Sequence, residues 1–121
     1  MIKVLIIEDE ELATERLEKL LMEIAPDTTV IGKPGSIKES VKWLAQNSAD
    51  LIFLDIQLSD GLSFSIFEQL SIHTPVIFTT AYDQYPIKAF QLNSIAYLLK
   101  PIRKNELSES LQKIPFTEIG I

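Results

Sequence analysis

The chain of 121 residues contains no cysteine. That excludes disulfides, thiolate zinc sites and thiol catalysis, and it suits a cytoplasmic location. Histidine occurs once, as His73 in the loop before Thr74-Pro75; with no partner recognisable in sequence, it reads as a surface residue. Basic residues are in deficit, 11 Lys and Arg against 17 Asp and Glu, for a formal charge of −6. Binding to phosphate backbones needs the opposite balance, so no nucleic acid is expected to be bound by this chain itself. No apolar run approaches the roughly 18–20 residues a membrane helix requires, so no membrane association is expected. The N-terminus enters a strand-like run at once instead of forming a signal sequence. A P-loop and a Gly-x-Gly-x-x-Gly fingerprint are both missing, which disfavours nucleotide binding. No Gly-x-Ser-x-Gly elbow is present either, leaving Ser59 and Ser63 as turn residues.

What is present is an ordinary globular composition, 46% hydrophobic and 23% charged, in a length that fits one compact domain. Ile2–Ile7 is a β-branched run and reads as a strand. A helix is expected from Glu10 to Ala25, with Leu12, Leu17, Leu20, Leu21 and Ile24 at helical spacing before Pro26. Thr28–Gly32 reads as a weaker strand closed by Pro34-Gly35. Ser36 and Glu39 form a Ser-x-x-Glu capping box, opening a helix with Ile37, Val41 and Leu44 on one face. Further strands are expected at Asp50–Leu54, Pro75–Thr79 and Ile95–Leu99. Further helices are expected around Phe64–Leu70, from about Gln84 to Leu92 with Pro86 in its first turn, and over Lys104–Lys113. Trp43 and the phenylalanines read as core or half-buried packing.

Regular strand–helix alternation implies parallel strands joined by right-handed crossovers. The fold class is therefore α/β, a doubly wound five-stranded parallel sheet of the flavodoxin-like type, order 2-1-3-4-5, with five helices. The more polar second strand belongs at an edge, and the first and third strands meet at the switch point where ligand sites form. The domain is expected to span residues 1–114, and 115–121 reads as the start of a linker.

Four of the strand-like runs stop at reactive side chains: Glu8-Asp9, Asp55, Thr80 and Lys100. In a parallel sheet those ends share one edge. Three crowded carboxylates repel unless a cation compensates, and Lys100 alone leaves a deficit. Magnesium fits such an oxygen-rich site and would leave one carboxylate free to accept a phosphoryl group as an acyl phosphate. Each feature taken singly has a plainer reading. The acids can favour a helix N-terminus, Asp55 can be a turn residue, Thr80 a strand-end hydroxyl and Tyr97 core packing; only the joint pattern reads as a site.

The segments Ile7-Glu8-Asp9-Glu10, Leu54-Asp55-Ile56-Gln57-Leu58, Thr79-Thr80-Ala81-Tyr82 and Tyr97-Leu98-Leu99-Lys100-Pro101 together resemble the receiver domain of two-component response regulators over essentially the whole chain. The resemblance implies Asp55 as phospho-acceptor. It implies magnesium held by Glu8 (through water), Asp9, Asp55 and the backbone carbonyl of Gln57. It also implies Thr80 and Tyr97 as a switch pair, Lys100 as the phosphate-binding lysine, and a cis bond at Pro101. The partners it implies are a sensor histidine kinase and a homodimer through the face of the fourth helix, fifth strand and fifth helix. Ala89-Phe-Gln-Leu-Asn93 and Tyr97-Leu-Leu-Lys-Pro-Ile102 are similar to receivers that precede a LytTR-type DNA-binding domain, which is absent from these residues. Two departures stand out: Glu8 occupies a place often held by Asp, and Ala96 replaces the Asp commonly found before the switch tyrosine. Two other readings stay open. A phosphorylation-independent interaction module is one. The other is a hydrolase passing through aspartyl phosphate, which Gln57 disfavours by standing where a general acid/base belongs.

Overall fold

The computed structural model describes residues 1–81 and 94–114. Strands β1 (Ile2–Ile7), β2 (Thr28–Gly32), β3 (Leu51–Asp55), β6 (Val76–Thr80) and β7 (Ala96–Leu99) form one parallel sheet in the order β2-β1-β3-β6-β7. Between β3 and β6, the two-residue strands β4 (Gln57–Leu58) and β5 (Gly61–Leu62) pair antiparallel as a small hairpin. Helices α1 (Glu11–Ile24), α2 (Ile37–Gln46), α3 (Ser65–Gln69) and a C-terminal helix (Lys104–Gln112) are the helices among the described residues. The expected order 2-1-3-4-5 is the order found, counting only the five sheet strands. The helix expected from about Gln84 to Leu92 and the tail 115–121 lie outside the described residues.

Burial follows from sheet position. Every residue of β3 and β6 is buried, as central parallel strands covered on both faces must be. β2, at the edge, alternates half-buried and exposed positions. The sheet divides the core into two layers. Ile2, Val4, Ile6, Leu17, Leu21, Leu98, Leu107 and Leu111 pack between the sheet and the pair formed by α1 and the C-terminal helix. Leu5, Ile7, Ile52, Leu54, Phe64, Ile66 and Phe78 form the other layer, against α2 and α3.

Leu12 departs from expectation: it was counted in the apolar face of the first helix but is 80% exposed. At 100° per residue it lies about 140° around the helix from Leu17, off the stripe that faces the sheet. The capping box is also modified. The Ser36 hydroxyl accepts the Glu39 N–H at 3.0 Å, but the Glu39 carboxylate reaches back to the N–H of Gly35, not Ser36. The expected Asp60-Gly61 turn does more than turn. The Asp60 carboxylate accepts the N–H groups of Ile37 (2.8 Å) and Lys38 (3.2 Å), so the loop after Asp55 is pinned to the start of α2. Those bonds hold the Asp60 pKa below the usual carboxylate range.

The β1–β2 pairing skips a residue: Val4 faces Val30, but Leu5 faces Gly32. Ile31 is the extra residue of this irregularity and is left exposed. The absence of a side chain at Gly32 lets the Trp43 indole approach, since a Cβ there would lie 2.8 Å from Trp43 Nε1 and 2.9 Å from Leu5 Cδ1. A rigid ring and a buried leucine cannot both yield. Gly32→Ala should therefore cost about 1–3 kcal/mol of stability by overpacking. Trp43 is the sole tryptophan, so its fluorescence reports both the unfolding midpoint and the displaced ring; an unchanged midpoint would contradict the packing account.

Candidate functional site

The sheet register dictates the site. Ile7 pairs with Leu54, so Glu8 and Asp55 come next to each other where β1 and β3 end. Asp55 pairs with Thr79 across β6, and Thr80 pairs with Leu99 across β7. The chain therefore leaves β7 as Lys100 beside the same edge. The Lys100 N–H donates to the Thr80 carbonyl at 2.7 Å, and the Lys100–Pro101 peptide is cis.

Lys100 Nζ gathers the acids. It lies 2.6 Å from Glu8, 3.2 Å from Asp55 and 3.3 Å from Glu10. Glu8 and Asp55 are buried, whereas Asp9 and Glu10 are exposed. The Glu10 N–H also donates to the Glu8 carboxylate at 3.1 Å. Burial pushes the Glu8 pKa from 4.5 up to about 7; its bond to Lys100 opposes the shift and the nearby Asp55 charge reinforces it. Burial likewise raises Asp55, against the opposing charge of Lys100. For Lys100, burial alone would favour the neutral amine, but the bond to Glu8 and the charges of Asp55 and Glu8 outweigh it and raise the pKa.

One carboxylate oxygen each from Glu8, Asp9, Glu10 and Asp55 can be chosen so that all four lie within 4.8 Å of one another. Against these four carboxylates stands one ammonium among the described residues, that of Lys100. Burial is the main cause of the raised Glu8 and Asp55 values, and Lys100 opposes it in both. A hard divalent cation with oxygen ligands suits the donor set, and magnesium, which keeps several waters, tolerates its open side. A cleft of about 310 Å³ opens over the acids, lined by Asp9, Glu10, Asp55, Gln57, Leu58, Ala81 and Lys100.

The structure thus brings Glu8, Asp9, Asp55, Gln57 and Lys100 together. Thr80 is fully buried at the last position of β6. Tyr97 is half-buried against the layer that contains Phe78, its partner across β6 and β7, and is not on the wall of the cleft. His73 is exposed, with Nε2 3.1 Å from the Ser71 hydroxyl. Sequence reasoning assigned no role to Glu10. The signal was its place in the Glu8–Glu11 acid run, where charge next to a helix start has an ordinary explanation. Asp60 was read only as a turn because its backbone partners lie 22 and 23 residues away.

Comparison with known proteins agrees with this arrangement. The family model described as "Response regulator receiver domain" matches residues 4–112. Sensory transduction protein LytT of Bacillus anthracis is 36% identical over 116 residues, covering 93% of this chain and 47% of that protein. Transcriptional regulatory protein LytR of Staphylococcus aureus is 38% identical over 119 residues, covering 96% and 48%. The chain therefore spans about half the length of these curated relatives. Among solved structures, the response regulatory domain of protein mrkE from Klebsiella pneumoniae superposes with a TM-score of 0.81 at 32% identity, covering 95% of this chain and 96% of that one.

The Glu8 shift has a direct consequence for stability. An acid whose pKa is raised by folding takes up a proton on folding, so its favourable contribution is complete below the unfolded value and fades as pH rises through the folded one. In chelator-treated protein, the stability of wild type relative to Glu8→Gln should decline between about pH 4.5 and 7. Chemical denaturation across that range measures the difference; parallel pH curves for the two proteins would exclude burial of Glu8 as its cause.

Proposed function

The chain belongs to the response regulator receiver domain family, and from that premise we propose that it accepts a phosphoryl group on Asp55 from a sensor histidine kinase. The observation that carries this reading is the buried Asp55 carboxylate, 3.2 Å from Lys100 Nζ, within a four-acid cluster at the mouth of an open cleft.

In the proposed step an Asp55 carboxylate oxygen attacks the phosphorus of a phosphohistidine in line. The P–O bond forms as the P–N bond breaks, and its electron pair returns to the imidazole nitrogen, which takes up a proton. Glu8, Asp9, Asp55 and the Gln57 carbonyl are the residues that would hold magnesium. When bound, magnesium supplies the positive charge that lets a phosphoryl group approach so many acids. Lys100 stands ready to exchange its Asp55 contact for a phosphoryl oxygen, and Thr80, one strand over, is the hydroxyl that would follow. Tyr97, three residues before Lys100 on β7, would relay the change to the face of the neighbouring helices and favour a homodimer. A swing from 1:99 to 99:1 between two states requires about 5.5 kcal/mol, within reach of a few charge-assisted hydrogen bonds in a partly dry site.

Two further parts of the reading rest on the relatives' lengths and names. The chain covers about half of each relative, one of which is called a transcriptional regulatory protein. Residues 115–121 then begin a linker to a C-terminal DNA-binding domain of the LytTR type, and regulation of transcription is the output. The setting is cytoplasmic. No helix among the described residues is long and apolar enough to cross a membrane.

Incubation with a small phosphodonor and magnesium should add the mass of one phosphoryl group, lost in Asp55→Asn and on chelation. Label that persists in Asp55→Asn would reject Asp55 as acceptor. No label in wild type would favour a phosphorylation-independent interaction module. Magnesium at about ten times its dissociation constant should raise unfolding stability by roughly 1.4 kcal/mol. That gain should shrink in Asp9→Asn, whose carboxylate is exposed and carries no ion pair among the described residues.

A further inference from the structure

Lys100 is held by its backbone at one point and stands over empty space at another. Its N–H is fixed on Thr80. On the α1 side, a mostly apolar cavity of about 390 Å³ separates Leu12, Ala13 and Arg16 from Lys100, Pro101 and Ile102. Side-chain packing anchors this stretch only at its end, where Ile102 is buried in the layer under α1, whereas Pro101 is exposed. The following helix gives little help: Arg103, at its N-cap, makes no side-chain capping bond.

Besides the Glu10–Lys100 ion pair at the head of α1, one further polar tie crosses the gap among the described residues. Arg16 donates from Nε (3.1 Å) and from a terminal guanidinium nitrogen (2.7 Å) to the same oxygen, the backbone carbonyl of Ile102. A guanidinium edge presents two parallel N–H groups, and a carbonyl oxygen offers two lone pairs, so the contact fixes direction as well as distance. Arg16 makes no ion pair among the described residues. Arg16 is exposed on α1, and its polar contact among the described residues is with the Ile102 carbonyl.

We infer that Arg16 is a positioning residue for Lys100. It braces the Lys100–Ile102 segment against α1, so that the ammonium stays within reach of Asp55 and of a phosphoryl group arriving there. Arg16 itself touches neither Asp55 nor the acid cleft; it acts through the chain direction after Lys100. This inference rests on the reading of Asp55 and Lys100 given above. Methionine keeps much of the aliphatic stem and removes both donors, whereas lysine restores one.

The test is a double-mutant cycle on the rate of Asp55 phosphorylation by acetyl phosphate at saturating magnesium. Arg16→Met should slow the reaction about tenfold, short of the roughly hundredfold that a full 1 Å misplacement can cost. Arg16→Lys should recover part of the loss, and magnesium affinity should be unchanged, since the residues that would hold it follow β1 (Glu8, Asp9), end β3 (Asp55) and lie on β4 (Gln57). In a Lys100→Ala background, Arg16→Met should change the residual rate less than about twofold, because the group it positions is gone. An equal loss in both backgrounds overturns the inference and assigns Arg16 a general structural role. Amide hydrogen exchange supplies a readout independent of phosphorylation. Arg16→Met should speed exchange at Lys100, whose N–H is bonded to Thr80, while leaving β1 and β3 protected; uniform or unchanged exchange refutes the brace. Wild-type protein that takes no phosphoryl group would sink the functional reading, and exchange would still decide the brace.

Discussion

A single ammonium group holds this edge of the sheet together. Lys100 is the common partner of two buried carboxylates and one exposed carboxylate, drawn from the ends of the first and third strands and the start of the first helix. Without it, Glu8 and Asp55 would be two like charges in a desolvated site, an arrangement that survives only by protonation. With it, four carboxylates still face one ammonium among the described residues, and burial keeps Glu8 protonated up to about pH 7. The stored imbalance makes the cleft receptive to a cation.

Everything that delivers those groups is a property of parallel pairing. Strand ends in such a sheet fall on one side, and the adjacency of β1 and β3 puts the acid pair next to Asp55. The hairpin Gln57–Leu58 with Gly61–Leu62, pinned by Asp60 to the start of α2, sets the chain beyond Asp55. The Gln57 backbone N–H also counters part of the rise in the Asp55 pKa. Asp55, Gln57 and Leu58 on the cleft wall are therefore held at several points.

Periodicity and strand-end chemistry made much of this legible. Ile2–Ile7 and Thr28–Gly32 were delimited as found, and the sheet order followed from alternation and from the polarity of β2. Asp9, Asp55 and Lys100 were identifiable because each ends or follows an apolar run. What escaped had a consistent cause: distant partners. Asp60 caps a helix begun more than twenty residues earlier, Arg16 meets a carbonyl 86 residues away, and Glu10 reaches Lys100 across 90. Leu12 was misjudged because a nearby apolar residue was counted without its angle around the helix. The small hairpin was missed because two-residue strands have too few positions to show a period of two.

The two layers of the core meet on the last strand. Ala96 and Leu98 belong to the layer under α1 and the C-terminal helix, whereas Tyr97 between them belongs to the layer that holds Phe78. Neighbours along one short strand are thus moored to separate hydrophobic bodies. A repacking of the Phe78 side need not loosen the layer under α1, which acts as a keel while the other flank changes shape.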